Sequence, residues 1–284
     1  MMSSSVRKPC VAGAFYEARP EALRKQIEWC FLHDLGPGKL PEAEAADLKL
    51  FGLISPHAGY VYSGPVAAHA YHLLSRAERP ETVIIVGPNH SGLGAPVAIV
   101  DSGEWETPLG RVPVDSECAS LILEVSGVVE VDDSAHMYEH SIEVQLPFLQ
   151  YVLGGFKLVP IAMLLQNYQV SRALGRALAE AANRFKALVI ATTDFTHYEP
   201  QSAAEEKDRA AISEILKLDA RGLYDVVVEK DISMCGYGPV MALIEAARAA
   251  DCARAELLKY ATSGHVTGDT SSVVGYASIA IYRG

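Results

Sequence analysis

The stretch Thr82-Val83-Ile84-Ile85-Val86-Gly87-Pro88-Asn89-His90-Ser91-Gly92 sets the reading of the fold. A short unbroken apolar run, Thr82 to Val86, reads as a strand, and it runs directly into a turn of Gly, Pro, Asn and His. The same pattern occurs twice more. Leu53-Ile54 leads into Ser55-Pro56-His57-Ala58-Gly59-Tyr60, and Val189-Ile190-Ala191 leads into Thr192-Thr193-Asp194-Phe195-Thr196-His197-Tyr198. In open α/β sheets, ligand sites lie outside the carboxyl ends of the strands. Three such strands in one sheet would gather His57, His90, Asp194 and His197 into one crevice. A lone histidine is more often structural, but three strand ends carrying His or Asp beside glycines point to a site.

Outward from these strands, apolar runs alternate with helical patterns. Leu48 to Ile54, Pro96 to Val100, Phe156 to Met163, Leu188 to Thr192, Glu256 to Thr262 and Val273 to Tyr282 read as further strands. Pro65 to Leu74, Ser116 to Val125, Ser141 to Leu153, Ser171 to Phe185, Ala203 to Leu216, Arg221 to Val228 and Pro239 to Ala250 read as helices, with a kink or boundary at Pro147. Gly103 to Val114 has the pattern of an inserted hairpin, and Leu35 to Ala46 that of a solvated loop. The alternation predicts one α/β domain over 1–284, a central mixed β-sheet flanked by helices.

Composition narrows the function. The 284 residues carry 24 Lys plus Arg, 35 Asp plus Glu and a net charge of −11, while half are hydrophobic. That excludes a disordered chain and argues against a nucleic-acid module, which needs a phosphate-neutralising surface. No apolar stretch approaches the roughly 20 residues that span a bilayer. The start of the chain lacks the apolar segment of a secretory signal, so a cytoplasmic location is expected. Five scattered cysteines without a CxxC argue against a disulfide framework or a zinc ribbon.

Imidazole and carboxylate suit first-row transition metals, and a thiolate adds affinity for softer ions. Cys235, in Met234-Cys235-Gly236-Tyr237-Gly238-Pro239, precedes an expected helix, where a cysteine tends to have a depressed pKa. Cys10, Cys30, Cys118 and Cys252 have the context of inert thiols. Gly59, Gly87 and Gly92 suit sharp turns beside the ligands. His140 and Glu143 stand three apart and would share a helix face, as ligands, supporting partners or a helix-start cap. His33, His69, His72, His136 and His265 have no such context. No loop has phosphate-binding glycine spacing.

Val11-Ala12-Gly13-Ala14-Phe15-Tyr16, Ser55 to Gly64, Gly87-Pro88-Asn89-His90, Glu139-His140-Ser141-Ile142-Glu143-Val144-Gln145-Leu146-Pro147-Phe148, Thr193 to Tyr198 and Cys235-Gly236 together resemble the MEMO family, mediators of ErbB2-driven cell motility. The resemblance covers nearly the whole chain. It implies a fold similar to class III extradiol dioxygenases, non-haem iron enzymes that hold iron on two histidines and a carboxylate. By this resemblance the metal ligands are His57, His90 and Cys235. Cys235 replaces the expected carboxylate and so departs from ordinary ring cleavage. Asp194, His197 and His140 become neighbours that shape the pocket or act on protons. The resemblance also implies iron or copper, a small-molecule or peptide ligand, and association with radical-SAM and AMMECR1-like proteins.

Three functions fit these residues. The first is a metal-dependent redox protein in which His197 is a general acid or base oriented by Asp194. The second is a metal-free hydrolase with Cys235 as nucleophile. The third is a peptide- or phosphopeptide-binding module that uses the same pocket without turnover.

Overall fold

The computed structural model describes residues 5–42, 48–252 and 254–284. The chain runs through β1 (Val6–Arg7), α1 (Pro20–Leu32), β2 (Leu50–Ser55), α2 (Tyr60–Leu74), β3 (Thr82–Pro88) and β4 (Val97–Ile99). The hairpin β5 (Glu104–Thr107) and β6 (Gly110–Pro113) is followed by α3 (Ser116–Ser126) and β7 (Glu130–Val131). Two short 3-10 turns, Asp133–His136 and Glu143–Gln145, lead to α4 (Leu146–Leu153), β8 (Lys157–Met163), α5 (Tyr168–Arg184) and β9 (Leu188–Thr192). The last part comprises β10 (His197–Glu199), α6 (Gln201–Leu216), α7 (Ala220–Glu229), α8 (Tyr237–Ala249), β11 (Arg254–Thr262), α9 (Gly264–Thr267) and β12 (Val273–Tyr282).

Nine strands form one mixed sheet in the order β10-β12-β2-β9-β3-β8-β4-β7, with β11 on β12. The four central strands β2, β9, β3 and β8 are parallel, whereas β12 and β4 run antiparallel to their neighbours β2 and β8. Alternate residues of a strand face opposite sides, and the core divides accordingly. Ile84 and Val86 pack with α3, α5 and α8 on one face; Val83 and Ile85 pack with α1, α2 and α4 on the other. The register sets Ser55 beside Thr192 and Val86 beside Ala191, so the carboxyl ends of β2, β9 and β3 lie side by side. The hairpin stands apart from this sheet and pairs with β1 in a three-stranded one.

The short elements β1, β7, β10 and α9 were not expected, and three longer ones also differ from the sequence expectations. No element was expected at α1, yet Pro20 opens it in the first turn, and Leu23, Ile27 and Phe31 form its buried stripe. The helix expected from Pro65 begins at Tyr60. Pro65 removes only the bond to the carbonyl of Val61, an exposed residue of the first turn. The single helix expected over Ser141 to Leu153 is a 3-10 turn followed by α4, with Pro147 at the start of α4. Residues 35–42 form neither helix nor strand, and 43–46 of the expected loop lie outside the described residues. Among the described residues, no helix is long and apolar enough to cross a membrane. All five cysteines are free thiols.

Candidate metal centre

His57 lies two residues beyond β2, Asp194 two beyond β9 and His90 two beyond β3, so the adjacent strand ends deliver all three to one place. Cys235 arrives from the turn before α8. That turn presses against the end of β9, where a Cβ at Gly236 would collide with the Thr192 carbonyl. Gly236 N–H donates to Thr193 Oγ1 at 2.9 Å, and Cys235 N–H to the Asp194 carbonyl at 3.2 Å. The thiol is thereby held 3.2 Å from His57 Nε2. Donor atoms of His57, His90 and Cys235 all lie within 4.8 Å of one another.

Each imidazole is backed by a second group. His57 Nδ1 stands 2.8 Å from Thr192 Oγ1, a hydroxyl that also accepts from Gln145 Nε2 at 3.0 Å. His90 Nδ1 is 3.0 Å from Glu139 Oε1, and the same oxygen accepts the Ser141 N–H at 2.8 Å. Nδ1–H donation to Thr192 and to Glu139 leaves both Nε2 lone pairs free for an ion. The donor set therefore fits a transition metal with some thiolate affinity. Glu139, Thr192 and Gln145 were given no role from sequence. The signal for Glu139 and Gln145 is their place in the motif Glu139 to Phe148; for the Thr192 hydroxyl the sequence offers none.

The electrostatics are those of a buried cluster of imidazoles. Burial, together with the neighbouring His140, His90 and His197, pushes His57 well below the ordinary histidine range. Burial also pushes His140 down to about 4, against the pull of Glu139. Burial alone would raise the Glu139 carboxyl. The His90 hydrogen bond and charge, the Ser141 N–H and the His140 charge outweigh it and hold the group down at about 2. Asp194 is raised to about 6 by burial, opposed by the His57 N–H and by the charges of His197 and His90. Cys235 does not have the depressed pKa expected at a helix start. Burial, then the Asp194 charge, pushes its thiol up, because it is removed from water before it can profit from the helix.

Asp194 Oδ1 accepts the backbone N–H of His57 at 2.8 Å. The orientation of His197 comes instead from Ser233, whose carbonyl lies 2.8 Å from Nδ1 and whose hydroxyl accepts the His197 N–H at 2.7 Å. His140 stacks on His90 with ring centroids 4.6 Å apart and lies 5.5 Å from His57. It does not share a face with Glu143, because no regular helix spans the two. Glu143 turns to Arg7, the Tyr16 hydroxyl at 2.6 Å and the Val11 N–H at 3.1 Å, anchoring the N-terminal segment. His90, Glu139 and His140 form a second group with donor atoms within 4.8 Å.

Residues 7–280 match a family model described as Memo-like protein. A MEMO1 family protein of Methanopyrus kandleri is 53% identical over 281 residues, covering 98% of this chain and 99% of that protein. One from Methanothermobacter thermautotrophicus is 51% identical, covering 97% of this chain and 100% of its own length. The crystal structure of an uncharacterized protein from Escherichia coli K12 is similar in fold, with a TM-score of 0.53 and 14% identity, covering 82% of this chain and 100% of that one.

Proposed function

Because the chain belongs to the Memo-like protein family, we propose that it is a metal protein in which His57, His90 and Cys235 hold one redox-active ion, iron or copper. The observation that carries this reading is the convergence of two carboxylate- or hydroxyl-backed imidazoles and one thiol within 4.8 Å. When bound, the ion would supply redox activation of dioxygen or of a substrate, a dioxygenase-like chemistry. The substrate is a small molecule or peptide that enters beside His140 and His197.

The chain's own groups then divide the work. His197 donates Nδ1–H to the Ser233 carbonyl, which leaves Nε2 to take or return a proton. Asp194 braces the His57 backbone, and its carboxyl, raised to about 6, is largely charged at neutral pH. His140, neutral at pH 7, forms one wall of the site against His90. Five free thiols fit a reducing, cytoplasmic setting. Association with radical-SAM and AMMECR1-like proteins is part of the same proposal, with co-purification from the native host as its test.

The Cys235–His57 contact favours a second reading, a metal-free cysteine nucleophile. Against it, the thiol is pushed up and the adjacent imidazole is pushed down, so proton transfer from sulfur to nitrogen is opposed on both sides. The third reading, a binding module without turnover, uses the same pocket. Metal analysis of anaerobically purified protein, followed by oxygen consumption, separates them. Near one iron or copper per chain with oxygen uptake supports the redox reading. Protein without metal that is inactivated by a thiol-directed reagent supports the nucleophile. Peptide binding equal with and without metal supports the module.

A further inference from the structure

The amino ends of the central strands, at the opposite edge of the sheet from His57, His90 and Cys235, border a cleft of about 330 Å³. Lys49 directly precedes β2, Arg79 leads into β3, Lys186 lies two residues before β9, and Arg283 directly follows the antiparallel β12. Strands β12, β2, β9 and β3 are neighbours in that order, so four cations from distant parts of the chain meet at one edge. The volume falls within the range of small-molecule sites, roughly 300–1,000 Å³. None of the candidate metal ligands lines it.

The charge of this cleft runs against that of the chain. The chain carries 24 Lys plus Arg against 35 Asp plus Glu, yet the cleft is lined by four cations and one carboxylate, Glu78. The carboxyl ends of α2 and α5 lead into the same edge, and each presents roughly half a negative charge. Together they match about one of the net three positive charges and leave about two unmatched. Among the described residues none of the four cations is ion-paired. The two guanidiniums are held by neutral acceptors instead. Arg79 donates to the Gly155 carbonyl at 2.9 Å. Arg283 donates to Asn183 Oδ1 at 2.8 Å and to the Ala182 carbonyl at 3.2 Å, and it lies over the Phe51 ring at 5.2 Å. A guanidinium has several N–H donors, so such bonds leave part of each fork for a ligand.

Lys186 adds an independent sign. It stands just past the C-cap of α5 with φ at 47°, where the Ala187 N–H closes onto the Ala182 carbonyl at 3.1 Å. This is the left-handed position that glycine normally fills, because a side chain there crowds its own backbone. A lysine is kept at this place at a cost to the backbone. Lys49, Arg79 and Lys186 are exposed, so a ligand reaches their charges from solvent without any opening of the fold. Lysine supplies a mobile point charge and arginine a planar fork, and the two together suit phosphate oxygens. The excess of positive charge matches a compact anion of several charges better than a monocarboxylate. We propose that this cleft binds a small polyphosphate anion, inorganic or carried by a nucleoside, through Lys49, Arg79, Lys186 and Arg283.

The test is a calorimetric titration of the full chain with tripolyphosphate at low ionic strength. Saturable binding that weakens with added salt is expected, and acetate should give no saturable heat. ATP should bind as well as tripolyphosphate if the phosphate chain is the whole ligand, and more tightly if the cleft also holds a nucleoside; either result supports the proposal. Lys49→Gln combined with Lys186→Gly should lower the affinity for tripolyphosphate at least about tenfold. Both positions are exposed and glycine relieves the backbone at 186, so this variant should melt no earlier than the wild type. Lys217→Gln combined with Lys230→Gln removes the same charge at the ends of α6 and α7, outside the cleft, and should change affinity by less than about twofold. Three results would each overturn the proposal: no saturable binding to the wild type, equal losses in the two double variants, or full affinity in the Lys49 and Lys186 variant. Octaglutamate binding more tightly than tripolyphosphate would do the same, because the face would then belong to an acidic protein segment.

Discussion

Cys235 Sγ and His57 Nε2 lie 3.2 Å apart across a separation of 178 positions in the chain. Neither residue borders the other's element. The contact exists because the turn before α8 is sewn to the end of β9 while His57 follows the neighbouring β2. Its chemistry is decided by what stands third, and the third group is another imidazole, His90.

Cys235→Ser tests the ligand role directly. The hydroxyl is close in size, so stability should change by no more than about 1–2 kcal/mol. It is a far poorer ligand for copper or iron, and affinity should fall by about a hundredfold or more. Anaerobic metal titration beside a melting curve reads both. Wild-type affinity in the mutant would remove Cys235 from the ligand set.

Glu139→Gln should leave the three donors in place yet weaken the site. The carboxylate accepts the His90 backbone N–H on one oxygen and Nδ1–H on the other, whereas glutamine has one acceptor oxygen and no charge, so one of the two bonds is lost and the ring loses its charged backing. Loss of such a supporting carboxylate typically costs roughly 10–100-fold in metal affinity. If the carboxylate merely closes the loop, the variant will melt earlier but bind metal as before.

Metal uptake should release a proton from Cys235, since burial and the Asp194 charge keep the thiol protonated without an ion. Affinity should then rise by about tenfold per pH unit across the neutral range. Calorimetry in buffers of different ionisation enthalpy counts the protons. A pH-independent affinity would show that sulfur is not the group being displaced.

Asp194 gives the metal-free protein a distinct pH signature. Its carboxyl rises from 3.8 to about 6 on folding, so the folded state holds this proton more tightly than the unfolded state. The associated stability is complete below pH about 4 and is lost as pH rises through about 6. Asp194→Asn, which retains an oxygen for the His57 N–H, should flatten that part of the profile. Denaturant unfolding at a series of pH values gives the comparison, and an unchanged profile would place the titration elsewhere.

Arg7→Ala should destabilise the fold through Glu143. Both side chains are largely buried, at 11% and 0% exposure. Removing the cation strands the carboxylate, a loss of roughly 3–5 kcal/mol. Arg7→Ala with Glu143→Gln should recover part of it. Urea unfolding of the single and double variants measures the coupling, and additive losses would mean that the pair is not the cause.

The order of strands and helices was legible because burial on a sheet imposes local patterns. Thr82 to Val86 and Leu188 to Thr192 could be little else, and the His and Asp after them marked the crevice. His57, His90 and Cys235 came together as the motifs implied. Local pattern did not show the partners behind them. Nothing near Thr192 in the sequence indicates that its hydroxyl faces His57 Nδ1, and spacing wrongly placed His140 beside Glu143 on one helix face. Nor did a helix-start position predict the state of the Cys235 thiol, which depends on how deeply the turn is buried and on Asp194 beside it. Backbone hydrogen bonding and apolar periodicity act over a few residues, so sequence alone determined most of the sheet and its covering helices, though not α1, and the chemical identity of the donors. Charge, desolvation and hydrogen bonds across strands act through space, so only the tertiary structure decided which nitrogen faces an ion, which carboxylate supports it and where each proton rests.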